Sequence, residues 1–161
     1  MSRKARAAAL TVAFIAMAPS ALGAEWTAEI VEDEGGPRMM ASVAGSGGGD
    51  VPPELFMFCG GGQVNLRYAF GSGVGEGVQM PNEKPLPFVF EFGNGSATLD
   101  MQYEEMDGAF AAYFPEDDKV IELFKSAATV IVDDPTGLYQ VQSFPLTGSS
   151  DAIDTLLKGC D

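Results

Sequence analysis

The stretch PFVFEFGNGSATLDMQY, residues 87–103, carries the clearest structural signal in this sequence. Apolar and polar side chains alternate on both sides of a central Gly-Asn-Gly-Ser, with phenylalanine at positions 88, 90 and 92 and apolar residues at 97, 99, 101 and 103. A period of two is the pattern of a β-strand with one buried face, and an Asn-Gly step favours a tight hairpin turn. The stretch therefore predicts an antiparallel hairpin with matched apolar faces.

Strand patterns separated by glycine-rich turns continue on both sides of this hairpin. The run 55–59, LFMFC, is apolar throughout and predicts a strand that is buried on both faces. Residues 63–70 alternate instead and predict one buried face that carries Val64, Leu66, Tyr68 and Phe70. We expect further strands over 26–31, 38–43, 108–114, 127–132 and 138–146.

Two helical patterns interrupt the strands. Acidic residues 116–118 follow Pro115, as at a helix N-terminus, and an apolar face over 120–124 ends at Lys125. A second helix is expected between a serine cap, Ser149 or Ser150, and Gly159. The predicted fold is mainly β (α+β): an antiparallel β-sandwich or partly closed barrel with two short helices and one disulfide.

The N-terminus has the layout of a secretory signal peptide. Basic residues at positions 3, 4 and 6 precede an uncharged apolar stretch over 7–17, and the small residues Ala21 and Gly23 suit signal peptidase. The apolar stretch is shorter than the ~20 residues that a membrane-spanning helix needs. We therefore expect residues 1–23 to be removed, which leaves residues 24–161 as a single β-rich domain, periplasmic or secreted, without a membrane anchor.

The chain contains two cysteines, Cys59 and Cys160. An even count in an oxidising compartment predicts a disulfide, and a loop of roughly 100 residues closed in this way gains about 4–5 kcal/mol in the chain-entropy model. A redox-active pair usually has Cys-X-X-Cys spacing, which this pair lacks. The expected role of the bond is therefore structural.

The charge balance bears on the kind of partner. The whole chain has a net charge of −14, and removal of 1–23, which holds three of the nine basic residues and no acidic one, changes it to −17. Such a chain repels nucleic acid and anionic membrane surfaces and attracts basic proteins. We expect no nucleic-acid partner, and a basic protein of the envelope is the partner that the charge favours. Simple solubility is the alternative explanation.

Histidine is absent from the sequence. Its absence excludes Ser-His-Asp and Cys-His catalysis, histidine-ligated metal sites and histidine general acid–base chemistry. Paired carboxylates could hydrolyse glycosides without histidine, but 23 acidic residues make such pairs common by chance. No catalytic residue and no cofactor are therefore assigned.

Two acidic clusters could hold a cation. Glu104, Glu105 and Asp107 precede Gly108, but the positions required for the first and last ligands of an EF-hand are Tyr103 and Phe114. Asp133 and Asp134 form the other cluster. An irregular calcium site at either one is the alternative to a prediction of no metal.

The ends of the mature chain show a further pattern. Trp26 begins it, a cysteine ends the run 55–59, and SFPLTG at 143–148 leads to apolar residues at 152–153 and 156–157 before Cys160. This resembles the small exported β-rich bacterial proteins grouped around invasion-associated locus B and the periplasmic proteins that accompany type VI secretion. The resemblance implies a strand that passes through a glycine into a last short helix, whose cysteine pairs back to the sheet. It implies no catalytic residues.

The expected function is that of a periplasmic, non-enzymatic binding or accessory protein. One alternative is an inhibitor of a basic hydrolase such as lysozyme, with the acidic and glycine-rich loops 71–77 or 104–108 entering a cationic cleft. The other is a calcium-dependent or carboxylate-based carbohydrate-active protein.

Overall fold

The computed structural model describes residues 24–33, 35–46, 50–71, 84–137 and 139–160. The predicted signal peptide and all but the first residue of the loop 71–77 lie outside these ranges. The described residues form nine strands and two helices: β1 Thr27–Asp33, β2 Gly36–Ala44, β3 Glu54–Gly60, β4 Gln63–Ala69, β5 Leu86–Phe92, β6 Gly95–Glu104, β7 Ala109–Pro115, α1 Lys119–Ser126, β8 Thr129–Asp133, β9 Gln142–Pro145 and α2 Ser149–Leu157.

The strands form one antiparallel sheet in the order β1-β2-β3-β4-β7-β6-β5-β8-β9. Strand β6 joins the two halves of the sheet, because its residues 95–101 pair with β5 and its residues 102–104 pair with β7. The sheet curls so that its ends approach one another, and the Trp26 N–H donates to the Thr147 carbonyl over 2.9 Å. The mainly β prediction is confirmed, and the arrangement is a half-barrel.

The predicted hairpin over 87–103 is confirmed as β5 and β6. Phe92 pairs with Gly95, so the turn consists of Gly93 and Asn94, and Asn94 keeps a negative φ. The phenylalanines at 88, 90 and 92 are buried, as are Ala97 and Met101 on the facing strand. The matched apolar faces that the alternation predicts therefore line the same core.

Aromatic side chains fill the interior of the curled sheet. The rings of Phe88 and Phe110 lie 4.8 Å apart, and Tyr139 lies 5.1 Å from Phe110. Near the helices, Phe124 contacts Phe92 at 5.0 Å and Trp26 at 5.9 Å. Burial of each such ring contributes roughly 1.5–3 kcal/mol, so this cluster is a main source of stability.

The two helices pack against each other, and α2 contacts β1, β2 and β3 whereas α1 contacts β6. Asp118 caps α1 by accepting from the Val120 N–H over 2.9 Å. The predicted serine cap of α2 is wrong, because Gly148, at φ +78°, occupies the N-cap position. Ser149 is buried instead, and its hydroxyl lies 2.7 Å from the carbonyl oxygens of Phe124 and Leu146. Its polar group thus ties α2 to α1.

The structure bears on three further predictions, which concern the disulfide, the burial of residues 55–59 and a membrane-spanning segment. Cys59 and Cys160 are disulfide-bonded with their Cα atoms 4.9 Å apart, which fastens the chain after α2 to the end of β3. The expectation that 55–59 is buried on both faces is wrong for Phe56, which is partly exposed, while Leu55 and Met57 face the core. Of the described helices, neither is long and apolar enough to cross a membrane.

Candidate functional site

The outer face of β2, β3, β4 and β7 carries an unusual set of side chains for the solvent side of a sheet. Strand register aligns Met40, Phe58, Asn65 and Tyr113 in one row across the four strands. Arg67 lies in the next row, beside Phe56. Because side chains alternate between faces, the residues between these positions, such as Met57 and Leu66, point into the core.

Two arginines lie over a single phenylalanine ring on this face. The guanidinium carbon of Arg38 is 4.2 Å from the centroid of Phe58, and that of Arg67 is 5.8 Å away. Attraction between a cation and the face of an aromatic ring is typically worth ~0.5–2 kcal/mol. Phe58 is buried on this outer face, and among the described residues the two arginines lie over its ring. Two of the six basic residues in 24–161 therefore converge on one ring.

Arg67 is the organising residue of the site. Its side chain is only 12% exposed and forms ion pairs with Glu104, over 2.6 Å, and with Asp107. The Tyr113 hydroxyl donates to the other oxygen of Glu104 over 2.8 Å. Burial by itself lowers the pKa of Arg67, but hydrogen bonding and the charges of Asp107 and Glu104 outweigh it, so the pKa is raised. Arg67 therefore stays charged and holds both carboxylates.

These contacts fix the turn between β6 and β7, residues 104–108. The turn also has backbone hydrogen bonds from Asp107 to Glu104 over 3.2 Å and from Gly108 to Glu105 over 3.3 Å. Gly108 has φ +62°, a conformation that glycine adopts without steric cost. At the tip, Met106 is 91% exposed. The turn thus presents a large apolar side chain to solvent from a backbone that is already ordered.

A groove of about 630 Å³ separates this turn from the turn between β1 and β2. Phe56 and Phe58 form its floor, Met106 and Asp107 one wall, and Val31 and Asp33 the other. Asp33 is paired with Arg38 over 2.5 Å. A smaller depression of about 270 Å³ lies beyond Arg38, next to Gln63 and Tyr113. We call the larger depression the arginine groove.

The arginine groove combines paired charges with apolar side chains. Both guanidinium groups are already neutralised by carboxylates of the same chain, so an incoming group meets paired charges above an apolar floor. Aromatic residues, methionine and arginine are also the side chains enriched at the centres of protein–protein interfaces. The lining therefore suits the side chains of another protein.

The structure brings some of the candidate metal ligands together, but around an arginine. Glu104 and Asp107 hold Arg67, and Glu105 is exposed at the same turn. Asp133 and Asp134 lie at a different turn, where buried Asp134 accepts hydrogen bonds from the backbone N–H and hydroxyl of Thr136. These contacts give Glu104, Asp107 and Asp134 partners within the chain.

One close group of three potential metal ligands occurs in the described part of the chain. It consists of Cys59, Glu116 and Cys160. Because both sulfur atoms belong to the disulfide, they are not thiolates and do not provide metal ligands. No metal is therefore assigned to this group.

The main residues of the groove, Arg38, Phe58, Arg67 and Tyr113, were not singled out by sequence reasoning. One usable signal was present: Arg67 is a rare basic residue at an outward position of a clearly alternating strand. Its partners are nearly 40 residues away along the chain, so the network could not be derived from local pattern.

Comparison with known proteins gives no relative for this chain. No protein-family model, curated protein or solved structure matches it. The resemblance to proteins around invasion-associated locus B therefore stays a prediction.

Proposed function

We propose that this is an exported, non-enzymatic binding protein that recognises another protein of the cell envelope through the arginine groove and the 104–108 turn. The observation that carries the proposal is the exposure of Met106 on a turn that Arg67 holds in place. An apolar side chain on a preordered backbone can be buried by a partner without the entropy cost of ordering a loop. The surrounding floor and paired charges would then complete the interface.

Export is supported by two separate features. The basic and apolar start of the sequence has the layout of a signal peptide. The Cys59–Cys160 bond suits an oxidising compartment such as the periplasm, because cytosolic reductants keep most thiols reduced. Fractionation of the source cells, with the N-terminus of the mature protein sequenced, tests this part. An intact protein that begins at Met1 and stays in the cytoplasm would contradict it.

The binding role is tested by capture of partners from an envelope extract. The oxidised wild-type protein should retain a specific partner, and Met106→Glu should lose it, since a charge at the tip opposes burial in an interface. Val141→Glu is the matched control, because Val141 is also an exposed apolar residue but lies outside both the 104–108 turn and the lining of the arginine groove. Equal retention by both variants would exclude the 104–108 turn as the binding surface.

A second candidate function is inhibition of a basic hydrolase such as lysozyme. The ordered turn 104–108 favours it, because the turn combines three acidic residues with a protruding side chain that could enter a cationic cleft. Lysozyme activity should then fall at micromolar protein, and Glu105→Gln should weaken inhibition more than the control Glu91→Gln, which alters an exposed residue of β5. Full lysozyme activity at such concentrations would rule out this candidate for that enzyme.

A further inference from the structure

The first strand lies at one end of the sheet order. In the part of the chain that the structure describes, β1 pairs with β2 alone, over the seven positions from Thr27 to Asp33. Its side chains are largely exposed, and Ile30 is 67% exposed although it lies on the same face as the core residue Ala41. An edge strand leaves backbone N–H and C=O groups available for pairing with another chain.

Both faces of this strand adjoin depressions. On the inner face, Ala28 and residues of α2, including Asp151 and Thr155, line a depression of about 220 Å³. On the outer face, Val31 and Asp33 line the arginine groove. A strand added along β1 would point its side chains alternately toward these two depressions. Main-chain pairing combined with pockets for alternate side chains is the geometry of peptide recognition by strand addition.

The charges around the edge indicate what kind of strand would fit. Five acidic residues lie on β1 or beside it: Glu25, Glu29, Glu32, Asp33 and Asp151. Of these, Asp33 forms an ion pair with Arg38. On the outer face, Glu29 would lie beside basic side chains of an added strand. On the inner face, Ile30 would lie beside apolar ones. A second copy of this chain fits poorly, because Glu29, Glu32 and Asp33 of both copies would meet along one seam.

We propose that β1 is a strand-addition site for an extended partner segment in which basic and apolar residues alternate. The basic residues face Glu29 and Asp33 on the outer face of β1, and the apolar residues face Ala28 and Ile30 on the inner face. The proposal rests on the binding role proposed above and adds the chemical class of the partner and its mode of binding.

The probe is a synthetic peptide of seven residues, Lys-Val-Lys-Val-Lys-Val-Lys, blocked at both ends. Added to ¹⁵N-labelled, oxidised protein at low salt, it should shift the amide signals of Thr27–Asp33. It should also slow hydrogen exchange of those β1 amides that do not pair with β2. Two control peptides separate the contribution of charge from that of main-chain hydrogen bonding. The first has glutamate in place of lysine, and the second keeps the charge but is N-methylated at every amide. Neither should bind at β1.

Two protein variants test the charge contribution. Glu29→Lys should weaken binding of the lysine–valine peptide by about threefold to tenfold, since an opposite-charge pair becomes a like-charge pair. Glu91→Lys makes the same change at an exposed site on β5 and should leave binding unchanged. Both positions are exposed, so both variants should fold.

Several outcomes would overturn the strand-addition site. These are no peptide binding at millimolar concentration, equal binding of the N-methylated peptide, shifts confined to the 104–108 turn, or edge-to-edge dimers of the protein alone. The two proposals fail separately. If Met106→Glu loses an envelope partner but the peptide does not protect β1, the proposed binding role of the arginine groove stands and the strand-addition site is rejected. Protection of β1 without a Met106-dependent partner does the reverse.

Discussion

The indole N–H of Trp26 donates a hydrogen bond to the carbonyl of Pro145 over 3.1 Å. The bond joins the start of the described chain to the end of β9 and lies beside the backbone bond from Trp26 to Thr147. Trp26 is buried and packs against Phe124 of α1. One side chain therefore holds together the two ends of the curled sheet and a helix.

Trp26→Phe should lower the free energy of unfolding by about 1–3 kcal/mol, because it keeps an aromatic ring but leaves the Pro145 carbonyl without its donor. Trp26→Ala should cost more, about 3–5 kcal/mol, because it also leaves a cavity. Urea unfolding followed by circular dichroism measures both changes. Equal stability of wild type and Trp26→Phe would show that water replaces the indole donor.

Reduction of the Cys59–Cys160 bond should destabilise the protein by about 4 kcal/mol, since the bond closes a loop between residues 101 positions apart. The double variant Cys59→Ala/Cys160→Ala should unfold at the same urea concentration as the reduced wild type. Addition of reductant to the double variant should have no effect. A reduced protein as stable as the oxidised one would show that α2 packing alone holds the C-terminus.

Arg67→Met should release the turn 104–108, because it leaves the carboxylates of Glu104 and Asp107 without their shared cation. We expect a loss of about 1–3 kcal/mol, below the ~3–5 kcal/mol for breaking a fully buried pair, since Asp107 is partly solvated. Faster hydrogen exchange confined to residues 104–108 should accompany it. Arg38→Met is the control for loss of a cation over Phe58, because Arg38 pairs with Asp33 rather than with the turn, and it should leave hydrogen exchange at residues 104–108 unchanged.

Tyr68 and Tyr113 form a matched pair for testing hydroxyl contributions. The Tyr68 side chain is 1% exposed, and its hydroxyl has no hydrogen-bond partner among the described residues. Burial and the charge of Asp134 raise the pKa of Tyr68 well above its usual value, which keeps it neutral. Tyr68→Phe should therefore stabilise the protein by about 1 kcal/mol, whereas Tyr113→Phe should destabilise it by about 0.5–1.5 kcal/mol through loss of the bond to Glu104. Destabilisation by Tyr68→Phe would show that the hydroxyl has a hydrogen-bond partner in solvent or outside the described residues.

Glu54 makes stability depend on pH at the acidic end. Its burial, partly offset by a hydrogen bond from Ser42 and reinforced by Glu29, raises its pKa above the ordinary 4.5. Between the unfolded and folded pKa values the folded chain binds more protons, so the contribution of Glu54 to stability falls as pH rises through that window. Glu54→Gln should therefore be more stable than wild type at pH 7, and the advantage should vanish below pH ~4. Thermal unfolding at a series of pH values checks this, and a variant less stable than wild type at pH 7 would contradict it.

Much of the local structure could be predicted from the order of residues. The hairpin over 87–103 and the buried face of β4 follow from alternation with a period of two, which acts between near neighbours. The last helix was also expected, but its serine cap was not correct, because Ser149 makes long-range contacts to α1 instead. Serine can act either as a helix N-cap or as a buried hydrogen-bonding residue, and only the tertiary packing decides between these two roles.

The arginine groove, by contrast, could not be predicted from local sequence patterns. Phe58 was expected to be buried, and it is, and in the described part of the chain Arg38 and Arg67 lie over its ring. The row that joins Asn65 to Tyr113 depends on the pairing of β4 with β7. These two strands are neighbours in the sheet, although β5 and β6 lie between them in the sequence. No local period encodes that pairing, because it is chosen by the fit of whole strands around one core.

Residue order alone was therefore enough to predict the mainly β class and the alternation of strands and turns. It also predicted the disulfide, since two cysteines allow a single pairing within the chain. Charge and the absence of histidine also follow from composition. Strand order, the Arg67 network and the position of β1 at one end of the described sheet arise only in the folded molecule. They depend on contacts between distant segments, whose free energies are decided by packing and burial rather than by neighbours in the chain.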